Sequence, residues 1–432
     1  MPTPDVADDP PTDRAYAAEL DDADPLADLR DRFYVPDGER YVDGNSLGLL
    51  SADAEAALET VVDQWRDLAI RGWTDADPDW FHYGERLGDR LAPLVGADES
   101  EVVVANSTTV NVHTLVGTML DAYGAETVLV DDLDFPTDHY AIRAQLRQRG
   151  LDPDEHLVVA ESSDGRTVTT DDVAAALDGA DVDVVFLPTV LYRSGQLLDV
   201  AAIGELAREH GALFGVDAAH SVGVVPHQFD QHGVDFAVWC SYKYLNAGPG
   251  AIAGLYVNEE HFGTTPSLAG WWGNDKATQF EMRTTFDPAP DAGAWQVGTP
   301  PILSAAPLSG ALDVVEDAGI DRLREKSVAL TEYLIRLTDA RLAEHGYAVG
   351  TPQDPDRRGG HVAIEHPEAD RISEALRDRG VVVDYRPPDV IRVAPSPYYV
   401  TFADVWAVVD NLATIAARSL FEEYERETDG VT

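Results

Sequence analysis

Lys243 is the residue whose type and surroundings point most directly to chemistry. The chain has 432 residues and 31 basic side chains, and its lysines are Lys243, Lys276 and Lys326. Lys243 follows an apolar run, and a lysine held away from water loses pKa and becomes a nucleophile toward carbonyl carbon. A lysine that reaches from a strand end to solvent is the alternative, and the local sequence leaves both open. Lys276 and Lys326 lie in polar sequence and are predicted to be surface residues.

Asp217 is a second candidate, because it directly follows the apolar run 213–216. A carboxylate at the end of a buried strand is costly unless a positive charge pairs with it. The cationic ring nitrogen of pyridoxal phosphate is one such partner. His220 comes three residues later, where it could lie beside the ring. An N-cap aspartate with a core histidine behind it is the alternative interpretation.

The segment Ser107–Asn111 lies between a predicted strand and a predicted helix, where hydroxyl and N–H groups suit a phosphate. Several other chemistries are excluded by missing motifs. The sequence has no His-Glu-x-x-His, no phosphate-binding P-loop and no Gly-x-Ser-x-Gly elbow. Its single cysteine, Cys240, excludes an intrachain disulfide and a cysteine metal cluster. We therefore predict no metal site.

Short apolar runs alternate with helical patterns from Glu101 to Cys240. This alternation predicts an α/β fold whose large domain has a mostly parallel sheet flanked by helices, with ligands bound at the carboxyl ends of its strands. A long helical pattern follows from Ile302 to His345, with a break near Gly319, and then a smaller α/β C-terminal domain. We predict an N-terminal arm over 1–50 that partly joins the small domain, a large cofactor-binding domain over 51–300, and the connecting helix with the small domain over 301–432.

The charge and hydropathy of the chain exclude further classes of partner. Acidic residues number 78 against 31 basic ones, a formal net charge of −47, which argues against a nucleic-acid partner. The acids are spread along the chain, and we interpret them as an adaptation to high salt in a halophilic source. The segment 1–31 is predicted to be an acidic arm, mobile at its start, and not a signal peptide. No apolar run is long enough to cross a membrane, and a cytoplasmic location is expected.

Several motifs resemble those of one enzyme family, kynureninase. The most specific is the segment 239–248, Trp-Cys-Ser-Tyr-Lys-Tyr-Leu-Asn-Ala-Gly, around Lys243. The others are Gly-Asn-Ser-Leu-Gly at 44–48, Phe-Pro-Thr-Asp at 135–138, Gly-Trp-Trp-Gly at 270–273 and Ile-Arg-Val-Ala-Pro at 391–395. They occur in order over most of the chain.

The resemblance implies a homodimeric pyridoxal-phosphate enzyme of the aspartate-aminotransferase-like fold, with active sites shared between subunits. It would hydrolyse the amino acid L-kynurenine to anthranilate and L-alanine in tryptophan degradation or NAD biosynthesis, with 3-hydroxykynurenine as a second substrate left open. Lys243 would join the cofactor as a Schiff base, Asp217 would hold its ring nitrogen, and Tyr242 would act as acid or base. The other implied cofactor contacts are Thr108, Thr109, Phe135, Pro136, Thr137, Asp138, His220, Trp271 and Thr299. The implied substrate contacts are Arg392, Ser46, Trp272 and Asn274.

Three features depart from the family pattern or leave alternatives. Pro188 stands where the family usually has serine or threonine, so that contact is lost or passes to Thr189. Trp272 and Asn274 replace the usual phenylalanine and histidine of the aryl wall. An aminotransferase, a cysteine desulfurase or a non-catalytic cofactor-binding relative of the same fold remain alternatives. Cys240 is predicted to be a buried core residue, which argues against a desulfurase.

Overall fold

The computed structural model describes residues 3–4, 6–7 and 11–426. The mobile start predicted for the acidic arm falls partly on positions 1, 2, 5 and 8–10, which lie outside the described residues. The helices are α1 (Arg14–Ala23), α2 (Ala52–Leu68), α3 (Gly72–Asp75), α4 (Tyr83–Val95), α5 (Thr108–Tyr123), α6 (Pro136–Gln148), α7 (Pro153–His156), α8 (Thr170–Gly179), α9 (Val200–His210), α10 (Ile302–Ala318), α11 (Ile320–Leu342), α12 (Ala369–Arg377) and α13 (Phe402–Ala417). The strands are β1 (Arg40–Tyr41), β2 (Val102–Val104), β3 (Val128–Asp131), β4 (Leu157–Ala160), β5 (Val184–Pro188), β6 (Leu213–Asp217), β7 (Phe236–Trp239), β8 (Gly254–Val257), β9 (Ala348–Val349), β10 (Val362–Glu365), β11 (Val381–Val382), β12 (Asp384–Arg386) and β13 (Val390–Val393).

The large sheet has seven strands in the order β2-β8-β7-β6-β5-β3-β4. Strands β4, β3, β5, β6 and β7 are mutually parallel, while β8 runs antiparallel to both β7 and β2. Because β2 and β7 are both antiparallel to β8, the carboxyl end of β2 lies at the same edge as those of β3, β5, β6 and β7. This confirms the predicted mostly parallel α/β fold. The residues that follow six strands, β2 to β7, therefore lie at that edge.

Strand residues alternate between two apolar layers, one on each face of this sheet. Val103, Val128 and Val130 pack into one layer, whereas Val104 and Leu129 pack into the other. Both faces are therefore covered, as expected for parallel strands connected through helices.

Local signals set the helix boundaries. Helices α8 and α13 each begin with a capping box, at Thr169 and Thr401. Helices α5 and α9 each end at a glycine in the left-handed conformation, Gly124 and Gly211. The predicted break at Gly319 is confirmed, because this glycine (φ +80°) separates α10 from α11.

The C-terminal part of the chain forms a four-stranded antiparallel sheet in the order β12-β13-β10-β9. The N-terminal segment joins it, since β1 pairs with β11 and Asp21 of α1 accepts hydrogen bonds from the first N–H groups of α13. The exact domain bounds given above stay a prediction.

The interpretation of two lysines as surface residues needs correction. Lys326 on α11 is 2% exposed and pairs with Asp24 at 2.7 Å. Lys276 is half-buried, bonded to Glu85, and its Nζ lies 5.2 Å from the centre of the Phe81 ring. Both partners are distant in sequence, so the polar local sequence could not show them. Among the described helices, none is both long and apolar enough to cross a membrane.

Candidate active site

Lys243, His220 and Asp217 meet at the carboxyl edge of the large sheet. Asp217 is the last residue of β6, and Lys243 lies in the loop that follows the neighbouring strand β7. Lys243 Nζ is 2.8 Å from His220 Nε2. Burial and the charge of Lys243 hold the pKa of His220 well below its usual value, so the neutral ring accepts a hydrogen bond from the amine. The structure thus brings these three predicted residues together.

The Asp217 carboxyl is held in a fixed orientation. The carboxyl accepts a hydrogen bond from the Ala219 N–H at 2.7 Å. The backbone carbonyl of Asp217 accepts one from the Thr189 N–H at 2.8 Å. Burial raises the pKa of Asp217, although the Lys243 charge opposes the shift. A carboxylate in this position is short of positive charge and would be stabilised by a bound cation.

Two further buried carboxyls, Asp138 and Asp134, lie behind Asp217. Both side-chain oxygens of Asp138 lack a hydrogen-bond donor among residues 11–426. The Asp138 carboxyl lies within hydrogen-bonding reach of Asp134 and Asp217, and burial together with these carboxylates raises its pKa well above the usual value. The protonated form of Asp138 is therefore favoured. Asp134 is not among the residues predicted from the sequence. The one feature that could have marked it is its place directly before the Phe-Pro-Thr-Asp motif at 135–138.

The two predicted binding segments begin helices at the same sheet edge. Thr108 and Thr109 start α5 after β2, and the preceding Ser107 side chain makes no capping hydrogen bond. The first turn of α5 is therefore suited to an anion. Phe135 precedes α6, whose first residues are Pro136 and Thr137, and its ring lies edge-on to a neighbouring tyrosine, Tyr192, at 5.3 Å.

Arg392 on β13 faces this edge from the small sheet and is 1% exposed. Its Nε donates to Asp384 at 2.5 Å, its Nη1 to the Tyr192 carbonyl at 2.6 Å, and its Nη2 to Ser46 Oγ at 3.2 Å. The planar fork is thus fixed by three partners, and Ser46 is placed beside it as expected. An arginine held in this way suits a carboxylate ligand.

His361 lies close to both Arg392 and His220, and no pattern in its local sequence marks it. His361 Nε2 is 3.1 Å from the same Tyr192 carbonyl that Arg392 contacts, and its ring is centred 5.7 Å from the His220 ring. Since a carbonyl only accepts hydrogen bonds, His361 Nε2 carries the proton. The small domain thereby contributes to both sides of the site.

Comparison with known proteins agrees with this arrangement. The family model for the kynureninase C-terminal domain matches residues 323–412. A kynureninase from Geobacillus thermodenitrificans (strain NG80-2) is 48% identical over 417 residues, which cover 96% of this chain and 97% of that one. The chain belongs to the kynureninase family. A kynureninase from Shouchella clausii (strain KSM-K16) is 44% identical over 97% of this chain and 98% of its own length.

Solved structures confirm the fold of this kynureninase-family chain. An apo cysteine desulfurase from Thermococcus onnurineus NA1 superposes with a TM-score of 0.77 at 20% identity, covering 90% of this chain and 98% of that one. A C-DES mutant with glycine covalently linked to its PLP cofactor gives a TM-score of 0.74 at 20% identity, covering 89% and 98% of the two chains. These neighbours share the PLP-dependent fold type I, with a C-terminal domain.

Four residues expected at the kynureninase site, Trp271, Trp272, Asn274 and Thr299, lie between β8 and α10. Trp272 packs on the rings of Trp73 (5.2 Å) and Phe81 (5.3 Å), and Trp271 is 42% exposed. Asn274 accepts a hydrogen bond from the N–H of Asp287, and Thr299 is exposed. Among residues 11–426, no hydrogen bond, ion pair or ring contact joins this group to Lys243. Their roles therefore stay predictions.

Tyr242 and Cys240 precede the kynureninase lysine. The neighbouring Cys240 sulfur, burial and Asp217 all raise the pKa of the Tyr242 hydroxyl. Cys240 is buried, as expected, and burial raises the pKa of its thiol.

Pro188 ends β5, and Thr189 follows it with a fully buried side chain. The Thr189 hydroxyl lies 2.6 Å from Ser221 Oγ and 3.3 Å from the Asp217 carbonyl. It is thus bonded within the protein behind Asp217, and its role here is to position the backbone of the β6 carboxyl end.

Proposed function

We propose that the chain hydrolyses L-kynurenine to anthranilate and L-alanine, with pyridoxal phosphate at the carboxyl edge of the large sheet. One observation carries the proposal: a chain of the kynureninase family places Lys243, His220 and Asp217 opposite an arginine, Arg392, held for a carboxylate. One water and one kynurenine become one anthranilate and one alanine, because water adds to the ketone carbon and the bond from that carbon to Cβ breaks.

The residues at this edge fit pyridoxal phosphate. Asp217 is a buried carboxyl short of a cation, which the protonated ring nitrogen would supply. The first turn of α5 at Thr108 would hold the phosphate, and Phe135 would lie against the ring. When bound, the cofactor supplies an electron sink that stabilises negative charge on the substrate carbons.

The side chains of this chain divide the remaining work. Lys243 Nζ would hold the cofactor at its carbonyl carbon and would take and return the substrate Cα proton, while His220 orients the amine. Arg392, supported by Ser46, binds the α-carboxylate. The Tyr242 hydroxyl stays protonated at neutral pH because its pKa is raised, so it would act as the acid that protonates Cβ when the bond to the ketone carbon breaks.

Several finer features belong to the same proposal. Two copies of the chain form a homodimer, in which Trp271, Trp272, Asn274 and Thr299 complete the cofactor and aryl sites of the partner subunit. Their separate position within one chain and the exposure of Trp271 support this. The enzyme acts in the cytoplasm on kynurenine from tryptophan degradation, as a catabolic step or on the way to NAD, and 3-hydroxykynurenine is a second substrate to test.

A product assay tests this function. The protein, purified in high salt with pyridoxal phosphate, is given L-kynurenine with and without a keto acid, and anthranilate fluorescence and alanine are measured. We expect equal amounts of both products without the keto acid. Turnover that requires a keto acid would indicate an aminotransferase instead. Sulfide release from cysteine would indicate a desulfurase, which the buried Cys240 argues against.

Replacing Arg392 by alanine should raise KM far more than it lowers kcat. Loss of a buried ion pair with the substrate carboxylate costs about 2–4 kcal/mol in kcat/KM. Steady-state kinetics with L-kynurenine measure the change.

Two other variants separate a binding role from a folding defect. Arg392→Lys keeps a positive charge beside Asp384 but loses the two-pronged geometry, so KM should stay raised. Arg341→Ala removes an arginine that pairs with Asp410, outside the site, and should leave KM unchanged. An Arg392→Ala enzyme with the wild-type KM would show that another group binds the carboxylate.

The halophilic interpretation predicts stability that rises with salt. With a net charge of −47, self-repulsion opposes the compact state, and screening shortens the Debye length from about 10 Å at 0.1 M salt to about 3 Å at 1 M. The thermal midpoint should therefore rise steadily as KCl increases over this range. Sucrose is the control, because it stabilises without screening charge. An unchanged midpoint across the KCl series contradicts the interpretation.

A further inference from the structure

We propose that Asp43 is a positioning residue for substrate binding, which takes up a proton when a carboxylate binds at Arg392. The inference rests on the proposed function, since it assumes that Arg392 binds the substrate carboxylate. It adds a residue that neither the motifs nor the chemistry above assign, and it predicts how substrate affinity depends on pH.

Asp43 is connected to Arg392 through a single hydroxyl group. It lies two residues after the end of β1, is 7% exposed, and its backbone bridges to Ala394 beside β13. The Asp43 carbonyl accepts the Ser46 N–H at 3.0 Å, and the Ser46 hydroxyl is within hydrogen-bonding reach of the Asp43 carboxyl. The same hydroxyl accepts Arg392 Nη2 at 3.2 Å. The other Asp43 oxygen, Oδ1, is buried and has no hydrogen-bond partner among the described residues.

The charges around Arg392 are already balanced before any ligand binds. Arg392 and Arg386 both donate to Asp384, at 2.5 and 2.9 Å, and Asp43 adds a second carboxylate. With Asp43 ionised, the two arginines and the two aspartates sum to zero. A substrate carboxylate then adds an uncompensated negative charge in a buried place, which is costly. A proton on Asp43 restores the balance.

Asp43 is suited to this role because its charge changes near neutral pH. Burial and the neighbouring Asp384 raise the pKa of Asp43 to about 7, although Ser46, Arg392 and Arg386 oppose the shift. The other titratable groups facing it are the hydroxyls of Tyr41, Tyr244 and Tyr399, each with a pKa raised by burial. These tyrosines stay neutral where Asp43 titrates.

The direction of the pH effect follows from these charges. Below about pH 7, Asp43 is protonated and the cluster has one net positive charge for the ligand. Above that pH, Asp43 must first take up a proton, so the observed affinity falls as pH rises. The ligand charge raises the pKa of Asp43 further, which makes proton uptake accompany binding.

Calorimetry of the holoenzyme tests the proposal with 4-oxo-4-phenylbutanoate, which has the substrate's carboxylate and ketone but no amine. Titrations in two buffers of different ionisation enthalpy give the number of protons taken up, and the visible spectrum reports any proton taken up at the cofactor. For the wild type, we expect uptake approaching one proton above pH 7 and a Kd that rises up to roughly tenfold per pH unit. For Asp43→Asn, we expect no such uptake, a Kd almost independent of pH, and tighter binding than wild type near pH 8.5.

The controls distinguish this inference from the proposed function. Asp339→Asn changes another aspartate whose pKa burial raises, on α11 outside the Arg392 cluster, and should behave as wild type. If Arg392→Lys binds the probe as well as wild type does, the carboxylate role of Arg392 fails. If Arg392→Lys weakens binding but Asp43→Asn keeps the wild-type pH dependence, only the Asp43 inference is overturned. Should Asp43→Asn fail to fold, a wild-type Kd that does not change between pH 6 and 9 would by itself refute the inference.

Discussion

Lys243→Ala should lower kcat by roughly 10³-fold or more. The amine both binds the cofactor carbonyl and moves the Cα proton, and a positioned acid–base group alone contributes about 10²–10⁴-fold. His220 lies 2.8 Å from Nζ but its pKa is held well below the usual value, so it is a poor substitute base. Single-turnover and steady-state assays with L-kynurenine measure the loss.

The small number of lysines supplies the control for this prediction. Borohydride reduction of the wild type should fix the cofactor to the peptide that contains Lys243, and to neither of the peptides with Lys276 or Lys326. The same treatment of Lys243→Ala should leave no label, although the other two lysines remain. A small amine such as methylamine should restore part of the activity. Label on Lys276 or Lys326 would place the cofactor elsewhere.

The sequence predicted the sheet well because its signals are local. The apolar runs that become β3, β5 and β7 are fully buried, that of β6 is largely buried and that of β4 is half-buried. Each run is visible as four or five consecutive residues. Strand β8 has no comparable local signal, because it begins at Gly254 after a glycine-rich segment that is typical of a turn. Its antiparallel pairing with β2 and β7 depends on neighbours that come from distant parts of the chain.

Site residues were predictable where their own sequence neighbours indicate their role. They were not predictable where their role depends on contacts with a distant part of the chain. Asp217 and Lys243 follow adjacent strands, so their meeting follows from the topology. His361 and Asp43 reach Arg392 only through the small domain and the N-terminal segment. No motif surrounds His361, and the motif at 44–48 that follows Asp43 points to Ser46 rather than to Asp43. Lys326 is buried only because Asp24, some three hundred residues earlier, packs against it.

Asp217→Asn should lower kcat by roughly 10²–10³-fold, the usual effect of removing one preorganised electrostatic partner. The amide keeps the size of the side chain and can still accept the Ala219 N–H, so the fold is retained while the charge is lost. A neutral partner no longer favours the protonated ring nitrogen, and negative charge on the substrate carbons is stabilised less. The pH dependence of the cofactor's visible spectrum should shift together with kcat.

Asp138 does not replace the lost charge, because its pKa is raised well above the usual value and its protonated, neutral form is favoured. Asp217→Glu keeps the charge and should recover part of the activity. Asp131 is another buried carboxyl at the same edge, at the end of β3. Strand β5 lies between β3 and β6, so Asp131→Asn should change kcat far less than Asp217→Asn does. Wild-type kcat and an unshifted spectrum in Asp217→Asn would mean that a different group faces the ring nitrogen. The buried Asp138 would then be the first carboxyl to test, since neither of its oxygens has a hydrogen-bond donor among residues 11–426.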